Sequence, residues 1–218
     1  MLLYLIGGLL CLSGIALLHF PLNFNSKRTL LQESFLSQQR TPLGSQHFFP
    51  LILEPRTELS LPEWIEWLDH HYSELEHLLE KHQAILFRNF PISDAYSFHD
   101  MVEATHLPAM DYIGGAAVRK QFTSRVVSSN ESPPSEIIPF HHEMAQTPHP
   151  PTHSEFFLLH LRSIRFIFIV FFYCDLPAQT GGETPILSST ELYQRLLSDI
   201  PEFIREIETQ GVKYIRTM

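Results

Sequence analysis

The feature that most constrains this chain is a short apolar segment, Ile137 to Phe140, that leads directly into His141, His142 and Glu143. Isoleucine and phenylalanine favour an extended backbone, so the segment is predicted to be a strand. Side chains on a strand alternate between its faces, which places His141 and Glu143 on one face and His142 on the other. One imidazole and one carboxylate are two of the three ligands of a 2-His-1-carboxylate site, which holds Fe(II) with open positions. The alternative interpretation is a polar strand end with solvated histidines.

Three further stretches accompany this segment, two before it in the sequence and one after it. They are Tyr112–Arg119, which contains a Gly-Gly pair, Ser129–Pro134, which reads SNESPP, and Gln179–Ile186, which reads QTGGETPI. Residues 141–146 read HHEMAQ. Together the four stretches resemble the TauD/TfdA family of Fe(II)- and 2-oxoglutarate-dependent dioxygenases, and in particular its clavaminate-synthase-like branch. The resemblance covers roughly residues 50–218, apart from one interruption.

The resemblance implies a fold of the α+β class, namely a partial double-stranded β-helix (jelly roll) with flanking helices. It also implies Fe(II) as the metal, 2-oxoglutarate as the co-substrate, and O2. The substrate expected from the family is a small organic molecule that is hydroxylated or otherwise oxidised.

The same resemblance assigns roles to individual residues. His141 and Glu143 are expected to bind the metal, and the Thr184 hydroxyl is expected to contact 2-oxoglutarate. Asn130 and Arg119 are expected to face the substrate. Each of the last three has a plain alternative: a hairpin turn around Thr184, a turn-forming asparagine at Asn130 and a surface cation at Arg119.

The sequence also departs from the family pattern. The family supplies the second histidine, and an arginine that binds the distal carboxylate of 2-oxoglutarate, from a strand beyond the position at which this sequence ends. His149, His153 and His160 qualify as a third ligand by residue type only. We therefore expect the 218-residue chain to be an incomplete or inactive oxygenase. Two other classes stay open: a non-catalytic truncated paralogue acting as a membrane-tethered binding module, and a jelly-roll metal protein, such as a hydrolase, with a different third ligand.

Residues 154–170, SEFFLLHLRSIRFIFIV, interrupt the resemblance. The family runs from HHEMAQ almost directly into a strand like Phe171–Cys174, and removing the segment restores that spacing. The segment is apolar and β-prone but too short to span a membrane as a helix. We interpret it as translated intron sequence, and a genuine insertion is the alternative.

Residues 1–20 carry no charged side chain and predict an N-terminal apolar helix, which would be a membrane anchor or a signal segment. Lys27, Arg28 and Arg40 follow it, and this positive charge favours a domain that faces the cytoplasm. A cleaved signal, which would direct the chain to the secretory pathway, and a mis-assigned start are the alternatives. Residues 21–46 are predicted to be a linker and residues 47–218 the dioxygenase-like domain.

Composition excludes some partners. The formal net charge is −9 with no cluster of lysine or arginine, which argues against a nucleic-acid partner. The two cysteines, Cys11 and Cys174, provide no disulfide framework.

Hydrophobic periodicity predicts the elements of the domain. Ser60 and Glu63 form a capping-box pattern in front of the first helix. Helices are predicted over about residues 61–83, 94–105, 190–197 and 201–210, with Ser93 and Ser189 as N-caps of the second and third. Strands are predicted over about residues 84–90, 126–129, 171–174 and 212–216.

Overall fold

The computed structural model describes residues 30–109, 119–129, 133, 135–142, 169–213 and 215, together with the backbone of residues 3–6. The strands are β1 (Leu3–Ile6), β2 (Leu31–Ser34), β3 (Leu51–Pro55), β4 (Ala84–Phe87) and β5 (Val170–Tyr173). The helices are α1 (Leu61–His82), α2 (Ala95–Glu103), α3 (Ser189–Asp199) and α4 (Pro201–Gln210).

These strands form one mixed sheet in the order β2-β3-β4-β1-β5. β3 and β4 are parallel, with Leu51 opposite Ile85 and Leu53 opposite Phe87, and the other neighbouring strands are antiparallel. α1 connects the parallel pair, because parallel strands need a crossover rather than a hairpin. The arrangement agrees with the predicted α+β class. Within the described residues the strands make one sheet, so the second sheet of a jelly roll stays a prediction.

The hydrophobic core lies between α1 and this sheet. Trp64, Leu68, Leu75 and Leu79 recur at helical spacing on α1 and are buried. The Trp64 ring lies 4.5 Å from the ring of Phe90. Every residue of β4 is buried, as expected for a central strand with an uninterrupted apolar sequence.

α1 begins and ends where the sequence predicts. The Glu63 carboxylate accepts hydrogen bonds from the Ser60 hydroxyl and from the Ser60 backbone N–H, the latter at 2.9 Å. These bonds favour the ionised carboxylate and so lower the pKa of Glu63. At the other end Gln83 adopts the left-handed conformation, with φ of 64°, and its N–H donates to the Leu79 carbonyl at 2.7 Å.

The N-cap of α2 is Asp94, one residue later than the predicted Ser93. The Asp94 carboxylate accepts from the N–H groups of Ser97 at 2.7 Å and Tyr96 at 3.0 Å, and the pKa of Asp94 is lowered, chiefly by the Ser97 N–H. Ser93 instead donates its own N–H to the Ser97 hydroxyl at 3.0 Å. Because the aspartate carboxylate satisfies two helix-end N–H donors at once, the N-cap is Asp94 rather than Ser93.

The predicted N-terminal apolar helix is not what the structure shows over Leu3–Ile6. These residues form β1, with Tyr4 opposite Leu86 on one side and Phe172 on the other. A strand in that position pairs its backbone groups with two neighbours, which explains why a short apolar stretch adopts it. The rest of residues 1–29 lie outside the described part of the chain. Among the described residues, no helix is both long and apolar enough to cross a membrane.

Regular secondary structure is also present before the predicted boundary at His47. Leu31–Ser34, inside the predicted linker, form β2 against β3, and the Leu31 side chain is fully buried. Arg40 and Phe49 form a further bridge. The polar composition of residues 21–46 therefore conceals a strand anchored by one apolar side chain.

Three predicted strands are irregular in the structure. Residues 137–142 form no strand, and neither do residues 212, 213 and 215, while Val127 makes a single bridge to Gln121. Within the described part of the chain, no strand pairs with residues 137–142 or with residues 212, 213 and 215. A segment with high β propensity does not form a strand unless its backbone can pair with another strand. Residues 154–168 of the predicted insert lie outside the described residues, and Val170 begins β5.

Candidate functional site

The segment that carries the two histidines is exposed. Ile137 is 93% exposed and Phe140 63%, and both His141 and His142 are exposed as well. Because the segment is irregular, strand alternation cannot decide where the two imidazoles point. Their hydrogen bonds indicate the orientation instead.

His141 has its Nδ1 atom 2.8 Å from the carbonyl oxygen of Pro139. A carbonyl only accepts hydrogen bonds, so Nδ1–H is the donor and the neutral ring has its lone pair on Nε2. A backbone carbonyl that fixes the tautomer in this way is the usual support of a metal-binding histidine. The chemistry of His141 therefore fits a ligand that binds through Nε2.

His142 makes a different contact. Its Nε2 atom lies 2.8 Å from the hydroxyl oxygen of Ser189, although the two residues are 47 positions apart in the sequence. Ser189 is the first residue of α3 and follows Thr184 by five residues. The contact therefore brings the His-His-Glu segment next to the segment that carries the Gly-Gly-Glu-Thr turn.

The turn itself depends on two glycines. Gly181 and Gly182 adopt φ values of 68° and 73°, a region that other residues rarely occupy. A Cβ atom on Gly182 would lie only 2.7 Å from the Cβ of Ala178, whereas one on Gly181 would meet nothing within 4 Å. The turn presents Thr184 on the exposed surface.

The start of α3 is fixed firmly to the core. The Ser188 side chain is 1% exposed, and its hydroxyl donates to Gln83 Oε1 at 2.7 Å and accepts from the Glu191 N–H at 3.1 Å. The buried Glu191 carboxylate is held by Arg195 at 2.7 Å and by Arg40 at 3.2 Å. Ser188, rather than the predicted Ser189, is thus the N-cap. The spacing from Ser188 to Glu191 is a capping-box pattern that could have identified it.

Arg119 contacts the backbone of its own loop. Its Nη1 atom donates to the carbonyl oxygens of Ser129 at 2.9 Å and Ser128 at 3.3 Å. The Lys120 N–H donates to the Ser128 hydroxyl at 2.9 Å, which is a further hydrogen bond between residues 119–120 and residues 128–129. Arg119 therefore stabilises the end of the segment that continues into Asn130.

The remaining candidates lie outside the described residues. These are Glu143, Asn130, His149, His153 and His160. Within the described part of the chain, no three His, Cys, Asp or Glu side chains are grouped so that they could hold a metal ion.

The taurine catabolism dioxygenase TauD, TfdA family matches the chain over residues 39–217, and the chain belongs to this family. The resemblance inferred from the four sequence stretches is thereby confirmed.

Two relatives support this assignment. The chain is 36% identical over 189 residues to a clavaminate synthase-like protein of Arabidopsis thaliana, a match that covers 82% of this chain and 52% of the relative. It is 28% identical over 152 residues to the dapdiamide synthesis protein DdaC of Enterobacter agglomerans, covering 69% of this chain and 40% of that protein. The chain thus spans about half the length of the first relative and less of the second.

Proposed function

We propose that these residues form one part of an Fe(II)- and 2-oxoglutarate-dependent oxygenase that oxidises a small organic substrate with O2. The observation that carries the proposal is the family match over residues 39–217, a range within which His141, Glu143 and Thr184 lie. The tautomer of His141 supports it, because Nε2 carries the lone pair of the neutral ring.

The proposed roles follow from the chemistry of each group. His141 Nε2 and the Glu143 carboxylate bind the metal, and bound Fe(II) would supply the oxidising chemistry with 2-oxoglutarate and O2. The Thr184 hydroxyl donates a hydrogen bond to a carboxylate of 2-oxoglutarate. The open space beside Gly181, where a Cβ atom would meet nothing within 4 Å, leaves room for the co-substrate to approach the backbone. Asn130 and Arg119 face the substrate, and Arg119 also donates to the carbonyl oxygens of Ser128 and Ser129.

The test is 2-oxoglutarate turnover, measured as succinate formed under air with Fe(II). It compares the 218-residue chain with a version extended to the length of its relatives and carrying a distal histidine and arginine. The extended chain should form succinate, and its His141→Ala variant should not. Robust succinate formation by the extended His141→Ala variant would contradict the proposal.

A matched control is His70→Ala in the extended chain. His70 is an exposed histidine on α1 and contacts Asp69. Its removal should leave succinate formation unchanged, which separates a specific role of His141 from a general effect of removing a surface imidazole.

A further inference from the structure

His142 makes a contact between the His-His-Glu segment and a distant element. Two hydrogen bonds of this segment are local: Glu136 N–H donates to Pro133 O at 2.9 Å, and His141 Nδ1 contacts Pro139 O two residues away. The bond from His142 Nε2 to Ser189 Oγ, in contrast, spans 47 positions. It joins the segment to the first turn of α3.

We propose that His142 is a positioning residue, which holds the neighbouring His141 in place through its hydrogen bond to Ser189. This inference rests on the proposed function, because it concerns the placement of a proposed metal ligand. The Nε2 atom of His142 is engaged by Ser189 Oγ.

α3 is a suitable anchor because its first turn is fixed on both sides of Ser189. Ser188 is buried and bonded to Gln83 at the end of α1, and Glu191 is buried between Arg195 and Arg40. A hydrogen bond to Ser189 therefore connects the segment to a helix turn that is fixed to the core.

The segment needs such a restraint. It is irregular, and its apolar side chains Ile137, Ile138 and Phe140 are exposed. An irregular exposed segment samples many backbone conformations. If a metal ion binds only one of these conformations, its apparent affinity falls in proportion to the population of that conformation. A single hydrogen bond of ordinary strength changes such a population by about fivefold.

The first measurement is ¹⁵N relaxation of the backbone amides of residues 137, 138 and 140–142 in the metal-free chain. His142→Ala and Ser189→Ala should each lower the order parameters of these amides, and the double variant should lower them no further than either single variant. Thr190→Ala is the matched control, because Thr190 is the neighbouring hydroxyl on α3, and it should leave the order parameters unchanged. Unchanged order parameters in the single variants, or additive effects in the double variant, would overturn the proposal.

The second measurement is anaerobic Fe(II) titration of the extended chain without 2-oxoglutarate. His142→Ala should weaken Fe(II) binding by about the same factor of five without abolishing it. His142→Gln, which keeps a terminal hydrogen-bonding group, should recover part of the affinity.

The two measurements separate this inference from the proposed function. Coupled changes of the order parameters together with unchanged Fe(II) affinity in His142→Ala would overturn the positioning role alone. Failure of the unaltered extended chain to bind Fe(II) would contradict the proposed function as well.

Discussion

At the scale of single residues, the Gly-Gly-Glu-Thr turn shows how sequence dictates local geometry. Both glycines lie at positive φ, but only Gly182 is also crowded, since its Cβ position lies 2.7 Å from Ala178 Cβ. The sequence predicts positive φ at such a pair. It does not indicate which of the two is crowded, because that depends on a neighbour brought close by the turn itself.

Alanine substitutions should therefore separate the two glycines. Gly181→Ala meets only the backbone cost of a left-handed residue and should lower the free energy of unfolding by about 1 kcal/mol. Gly182→Ala adds a steric clash and should lower it by about 3 kcal/mol or move the turn. Chemical denaturation of both variants tests this. Equal losses would show that the contact with Ala178 does not limit the turn.

His82 provides a test of pH dependence at the same scale. Burial lowers its pKa below the ordinary value of 6.5, and the nearby charges of His47 and Lys81 lower it further, while the hydrogen bond to the Phe48 carbonyl opposes the shift. The unfolded chain therefore takes up a proton before the folded chain does as the pH falls. The stability contribution is fully present above pH 6.5 and decreases below it.

We expect His82→Gln to reduce the fall in melting temperature between about pH 7.5 and pH 5.5, because glutamine can still donate to Phe48 O but does not titrate in this range. His70→Gln on the same helix is the control and should not reduce it. A fall in His82→Gln as large as in the unaltered chain would show that other groups cause the acid sensitivity.

At the scale of elements, the helices were more predictable than the strands. α1 and α4 carry their own boundary signals in the Ser60–Glu63 pair and in Pro201 and Gly211. A strand needs a partner that lies elsewhere in the chain, so residues 137–140 had strand propensity without forming a strand. β2, conversely, forms within a polar stretch because β3 offers an edge and Leu31 a buried anchor.

The junction between α3 and α1 carries an element-scale prediction. Ser188→Ala removes both the N-cap of α3 and the hydrogen bond to Gln83, and should lower the free energy of unfolding by about 2 kcal/mol. Thr190→Ala, two residues later in the same turn, should change it by less than about 0.5 kcal/mol. Thermal denaturation with circular dichroism compares them. A Ser188→Ala loss no greater than that of Thr190→Ala would contradict the role assigned to Ser188.

At the scale of the whole molecule, the sequence identifies the family more readily than the arrangement of its site. Short motifs are enough to predict roles for His141 and Thr184, because those predictions depend on residue type and spacing, and the roles stay predictions. The contact between His142 and Ser189 was missed, because it depends on how α3 docks against α1 through Ser188 and Gln83. The location of the chain in the cell stays a prediction from residues 1–20.

The measurement that tests the account most directly is the visible absorption of the anaerobic complex with Fe(II) and 2-oxoglutarate. In the chain extended to the length of its relatives, chelation of Fe(II) by 2-oxoglutarate should produce a charge-transfer band. His141→Ala and Glu143→Ala should abolish the band, and His142→Ala should retain it at higher Fe(II) concentration. An unchanged band in His141→Ala and Glu143→Ala would contradict the assignment of these two residues as metal ligands.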